Sequence, residues 1–226
     1  FLDLNKMKVD LERGLFFHST IPEKYGLGSS GAVCAAVLEY YCKESVQWKH
    51  LPIQLIKEKF ISMESYFHGS SSGVDPLCIY LGEPLIIRNN TCITPGPNGA
   101  FCNNKLQVFL IDTMQQGETR IHMTHFKSRM KHEFFQKWFK DLYIPMVNRT
   151  VEEWMTGMLK ESTIFALSQE QFRFLQPMIP STYDELWLKG IDEGLYALKI
   201  CGSGGGGMLL GFTDNINATR NYLVKN

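Results

Sequence analysis

"IPEKYGLGSSGAVCAAVLEYY", residues 21–41, sets three glycines and two serines directly ahead of a long apolar run. Val33, Cys34, Ala36, Val37, Leu38, Tyr40 and Tyr41 leave residues 30–43 apolar on nearly every side, which predicts a buried helix. A glycine loop opening such a helix suits a phosphate, because glycines let the backbone approach closely. The helix start adds free N–H groups and the positive end of the dipole. Gly26-Leu27-Gly28-Ser29-Ser30-Gly31 satisfies G-x-G-x-x-G in form. A dinucleotide fold, however, needs that loop immediately after a strand, with an acidic residue about 20 positions on. Here Pro22, Glu23 and Lys24 intervene, and Glu39 and Glu44 fall on or near the helix end. A Walker A loop fails too, since Ala32 and Val33 stand where Lys and Ser/Thr should follow Gly31. Two readings stay open: Ser29 or Ser30 caps the helix, or the loop holds a phosphate outside both of those folds.

Two further blocks bear on the choice. In "MESYFHGSSSGVDPL" (63–77), Glu64 and His68 lie four apart on one helix face. That face runs beside the apolar stripe Ile53, Ile56, Phe60, Met63 and Phe67, whose spacing predicts a helix over 51–67 with Pro52 in its first turn. Asp75 precedes Pro76, so it reads as an N-cap with Pro at the first helical position. Two carboxylates around a Gly/Ser loop also meet the needs of phosphoryl transfer. One holds Mg²⁺ among oxygen ligands, and the other takes a proton from an attacking hydroxyl. In "KICGSGGGGMLLG" (199–211), four consecutive glycines between strand-like runs are costly in backbone entropy and imply close approach to something. A plain flexible hairpin is the alternative.

Taken in order, the three blocks resemble the GHMP kinase superfamily: "PEKYGLGSSGA" its phosphate-binding motif and "KICGSGGGG" its glycine-rich C-terminal motif. The middle block, with Glu64, His68, Gly69 and Asp75, is most similar to the mevalonate kinase branch. The resemblance spans residues 15–211. It implies an α+β, two-lobed GHMP kinase fold, with a ribosomal-protein-S5-like N-terminal lobe over 1–103, a ferredoxin-like C-terminal lobe over 104–226 and the site between them. It implies ATP and Mg²⁺ as cofactors and the primary hydroxyl of mevalonate as acceptor. Gly26, Leu27, Gly28, Ser29 and Ser30 would surround the ATP phosphates. Ser30 and Glu64 would ligate the metal, and Asp75 would face the acceptor hydroxyl. Gly202, Ser203, Gly204, Gly205 and Gly206 would support the phosphate loop, while His68 and Arg88 are the candidate substrate contacts. Sugar-1-kinases, phosphomevalonate kinases and an inactive nucleotide-binding homologue remain alternatives. Relatives usually carry alanine where Gly31 stands, a change expected only to loosen the first helical turn. The superfamily's first motif, an N-terminal strand region with a substrate- and phosphate-facing Lys, has no match, which implies that the N-terminal part lies outside this sequence.

The rest of the 226 residues fits a packed enzyme. Forty-four per cent are hydrophobic, and Lys+Arg and Asp+Glu both number 23. Zero net charge argues against a nucleic-acid or membrane-surface partner, and no run approaches the roughly 18 apolar residues of a membrane span. The six cysteines form no C-x-x-C pair, which suits a reducing, cytoplasmic location. A homodimer is left open. "GLFFHSTIP" (14–22), "PLIIR" (84–88) and "LQVFLIDT" (106–113) read as strands, and residues 117–170 as helices with short breaks. "TPGPNGAFCNN" (94–104) is the best boundary. His122, His125 and His132 read as surface histidines, and "FKSRMKHEFFQKWFK" (126–140) as one amphipathic helix with a solvated basic face.

Overall fold

The computed structural model describes residues 1–43, 51–88, 92–95 and 105–225. The chain divides into two compact units, Phe1–Glu23 with Gly28–Asn98 and Lys24–Leu27 with Gly99–Asn226.

The first unit is built on helices α1 (Leu4–Glu12), α2 (Ser29–Tyr41), α3 (Ile53–His68) and α4 (Val74–Leu81), followed by an antiparallel pair, β1 (Leu85–Arg88) and β2 (Cys92–Pro95). α1 has no buried residue. It exists because Asp3 caps it, accepting Lys6 N–H at 3.0 Å, and because the Lys6 ammonium sits 4.2 Å from the Tyr40 ring. No strand forms at 14–22. Phe16 is 79% exposed, and alternation in sequence makes no strand without a ladder partner. The core joins Cys34, Ala35 and Leu38 of α2, Ile56 and Phe60 of α3, and Leu77 of α4.

α3 begins after Pro52 and ends at Gly69, close to the spacing-based expectation. Its buried face is turned, though. Phe67 is 52% exposed, whereas Glu64 is only 5% exposed, in line with Ile56 and Phe60. Glu64 therefore lies in the buried stripe and not beside it.

α2 and α4 approach so closely at Gly31 that a Cβ there would lie 2.8 Å from Pro76 N and 3.0 Å from the Asp75 carbonyl carbon. Loosening of the helix is thus not what Gly31 contributes; it sets the α2–α4 spacing. Helix propensity alone makes Gly31→Ala stabilising by ~1 kcal/mol. We expect the opposite, a loss of about 1–3 kcal/mol from overpacking against backbone that cannot swing aside. A urea midpoint at or above wild type would show that α4 moves freely.

The second unit carries a three-stranded antiparallel sheet, ordered β3 (Gln107–Asp112), β5 (Met208–Thr213), β4 (Ala197–Ile200). Helices α5 (Thr119–Arg129), α6 (Glu133–Trp138), α7 (Ile144–Met155), α8 (Glu161–Leu175), α9 (Asp184–Asp192) and α10 (Ile216–Lys225) complete it. Its core gathers Trp138, Phe174, Trp187, Tyr196, Leu198 and Leu209. β4 is an edge strand, and α8 seals it. Ser168 Oγ accepts Leu198 N–H at 3.1 Å and Gln171 Oε1 accepts Ile200 N–H at 3.0 Å. The stretch 126–140 is two helices, broken at 130–132. Its basic face is partly used: Arg129 donates to the Phe174 carbonyl and lies 4.3 Å from the Phe135 ring. No helix among the described residues is long and apolar enough to cross a membrane. Cys34, Cys42, Cys78 and Cys201 are free thiols.

Candidate active site

In the first unit the site is built where α2 starts. Gly28 occupies the N-cap position with φ +72°, and no side chain caps the helix. Neither Ser29 nor Ser30 is a cap, then; both lie inside the first turn. Freed from capping, Ser30 Oγ donates to Glu64 Oε1 at 3.0 Å. Residue Glu64 comes from the middle of α3, so the pair brings together two motifs separated by 34 positions. Its second oxygen, Oε2, accepts from Ser71 Oγ. Cys34, one turn beyond Ser30 on α2, also faces this carboxylate. Burial, with the Glu64 charge added, pushes its thiol up to about 11, so Cys34 stays neutral. Glu64 is therefore a buried carboxylate offered hydroxyl donors and a neutral thiol.

Asp75 is not the cap of α4. Gly73 is, at φ +68°, and Asp75 sits in the first turn. Its Cβ would lie 3.5 Å from a Cβ built on Gly28, which places Asp75 beside the N-terminus of α2. Asp75 also raises the pKa of Cys78 on the same helix, second to burial. Arg88 ends β1 and is exposed. His68 is the last residue of α3, and its side chain lies outside the described residues.

In the second unit, the glycine run between β4 and β5 meets the chain's own backbone. Gly205 N–H donates to the Met178 carbonyl at 2.6 Å, Gly207 N–H to Gln115 at 2.7 Å, and Thr113 N–H to the Gly207 carbonyl at 2.9 Å. A Cβ on Gly207 would fall well inside contact distance of the Tyr25 carbonyl. Gly26 stands over the Cys201 carbonyl, and Gly117 N–H donates to the Lys24 carbonyl at 2.8 Å. The close approach implied by four glycines is thus an approach to Lys24–Leu27, the start of the loop read from the sequence. His122 corrects another expectation. It is half-buried, its ring lying against Gly205 where a methyl group would otherwise go. Nothing in the amino acids singles out Ser71, Cys34 or His122 for these places beyond a run of three serines at 70–72 and the position of Cys34 four residues after Ser30.

The donors at Glu64 suit a small hard cation. Among the described residues no three His, Cys, Asp or Glu side chains gather into a metal cluster. Magnesium is held differently, by one or two protein oxygens together with substrate phosphates. A buried carboxylate hydrogen-bonded to a hydroxyl in the first turn of a helix is such a set.

Residues 3–83 match the family described as the GHMP kinases N terminal domain. Thirteen solved chains match as well, among them the L. major mevalonate kinase in complex with R-mevalonate. That match has a TM-score of 0.57 at 17% identity and covers 88% of this chain and 60% of the solved one. The chain spans about three fifths of that kinase's length, and at this identity the likeness establishes the fold: α+β, of the GHMP kinase type. No curated protein shows a significant match. Within the matched residues, Ser30, Glu64 and Asp75 come from three helices: α2 meets α4 at Gly28 and Gly31, and meets α3 through the Ser30–Glu64 hydrogen bond.

Proposed function

We propose that this GHMP kinase chain belongs to an ATP- and Mg²⁺-dependent small-molecule kinase that phosphorylates the primary hydroxyl of mevalonate. The observation that carries the reading is the Ser30–Glu64 pair at the N-terminus of α2, with Asp75 beside Gly28. The mevalonate kinase fold supports the choice of acceptor.

In this reading Gly26, Leu27, Gly28, Ser29 and Ser30 surround the ATP phosphates, and the first-turn N–H groups of α2 donate to phosphate oxygens. Ser30 Oγ and the Glu64 carboxylate hold the cation, with Cys34 keeping a second negative charge away from it. Magnesium, when bound, neutralises charge on the β- and γ-phosphate oxygens. Asp75 accepts the proton of the acceptor hydroxyl as it attacks. Gly202, Ser203, Gly204, Gly205 and Gly206 keep the Lys24–Leu27 segment in place. His68 and Arg88 are the proposed contacts to the substrate. Free thiols support a cytoplasmic location.

The test is phosphate transfer from ATP by the full-length protein, with mevalonate set against phosphomevalonate and a panel of sugars. The expected result is Mg²⁺-dependent turnover of mevalonate, with kcat/KM at least about 100-fold above every other acceptor, the scale a site gains by pairing a substrate's polar groups. Turnover of a sugar in preference to mevalonate would move the chain to another GHMP activity. Tight ATP binding with no acceptor phosphorylated would mark a nucleotide-binding homologue.

A further inference from the structure

The Glu64 carboxylate is gripped at both oxygens, and the second grip belongs to none of the three motifs' assigned residues. Ser30 Oγ donates to Oε1 at 3.0 Å, and Ser71 Oγ donates to Oε2. Ser71 Oγ also accepts Gly73 N–H at 2.8 Å. Gly73 is the cap of α4, two residues before Asp75. A single hydroxyl thus ties the carboxylate of α3 to the turn that seats the acid of α4.

We propose that Ser71 is a positioning residue that fixes Glu64 for one-oxygen coordination of the cation and holds it in register with Asp75. The inference rests on the reading of Glu64 as a metal ligand. A glutamate carboxylate rotates freely about its last torsion, so an unrestrained one offers either oxygen, or both. With Oε2 engaged by Ser71, only Oε1 faces Ser30. Magnesium demands near-ideal octahedral geometry, whereas calcium accepts bidentate carboxylates and irregular shells. Fixing the rotation therefore favours magnesium over calcium. The hydrogen bond from Gly73 keeps the Ser71 hydroxyl itself from turning away, since one of its lone pairs accepts from the backbone while its proton is donated to Glu64.

The experiment compares wild type, Ser71→Ala, Ser71→Thr and Glu64→Gln in the full-length protein by calorimetric titration with Mg²⁺ and with Ca²⁺, each in the presence of ATP. Metal-free ATP binding and the thermal midpoint are measured alongside. Ser71→Ala should weaken Mg²⁺ about tenfold, the usual effect of losing a hydrogen bond behind a ligand, and change Ca²⁺ by less than about twofold. Ser71→Thr should restore most of the Mg²⁺ affinity, and metal-free ATP binding should be unchanged throughout. If Ser71→Ala weakens both metals equally, or neither, while Glu64→Gln weakens Mg²⁺, Ser71 does not aim the carboxylate. Should Glu64→Gln bind Mg²⁺ as wild type does, the metal reading itself fails, and with it the basis for this one.

Discussion

Asp75→Asn is expected to lower turnover about a thousandfold, within the range a positioned general base contributes, with ATP affinity changed less than about threefold. Asparagine keeps the shape of the side chain and its place in the first turn of α4, and it removes only the capacity to accept a proton. The packing of Gly28 and Gly31 against this turn should survive the change, because the atoms of residues 75 and 76 that they meet are carbon and backbone atoms that asparagine leaves in place. Loss should therefore appear in kcat and not in nucleotide binding, the pattern of a group that acts only in the transition state. Single-turnover rates with saturating ATP and mevalonate, beside fluorescence titration with an ATP analogue, separate the two. A variant that turns over mevalonate within about tenfold of wild type would remove Asp75 from the chemistry.

The second large effect lies in the glycine run. Gly207 has φ +72°, a left-handed backbone that costs an L-residue roughly 1–2 kcal/mol. Its α-carbon faces the Tyr25 carbonyl, and its N–H and C=O are both committed, to Gln115 and Thr113. Alanine there has nowhere to retreat. We expect Gly207→Ala to lose at least about 4 kcal/mol, in the range reserved for clashes with fixed backbone, or to fail to fold. Gly205→Ala serves as the graded companion, since the obstacle there is the His122 ring, which can rotate. Its cost should fall when His122→Ala is combined with it, a coupling of about 1 kcal/mol in a double-mutant cycle. Urea unfolding of wild type, Gly207→Ala and the three variants of the Gly205–His122 cycle decides the matter. Wild-type stability of Gly207→Ala, or strict additivity of the Gly205 and His122 changes, would show that the loop is not braced as described.

Much of this architecture is visible in the amino acids, for physical reasons that differ from element to element. α2, α3 and the β4–β5 hairpin follow from apolar runs and spacing, because burial dictates them locally. α1 does not, since its stability comes from an Asp3 cap and a Lys6–Tyr40 contact made across 34 residues of sequence. Periodicity placed Glu64 beside the apolar stripe, yet the helix turns it inward, because Ser30 and Ser71 supply the hydrogen bonds that make burial of a carboxylate tolerable. Glycine counts showed that something comes close at 202–207, but not what; only the fold reveals that the neighbours are backbone atoms of Tyr25, Gln115 and Met178 and the His122 ring. Gly31 is the clearest case of a local rule overruled. Helix propensity marks it as a defect, while the α2–α4 contact has room for nothing larger.

The assignment of Lys24–Leu27 to the second unit has a consequence for how the molecule forms. The β3–β5–β4 sheet can assemble from its own strands, but the wall under its glycine turn arrives from the far side of the other unit's sequence. Closing that wall is a long-range step, whose entropic cost grows with the chain between its ends. Helices α2, α3 and α4 shorten that span once they have condensed, so their folding should precede completion of the turn. A polypeptide starting at residue 99 would lack the carbonyls of Lys24 and Tyr25 altogether. The second unit is consequently not separable in synthesis: it is finished only when residues 24–27, carried within the first unit's sequence, have joined it.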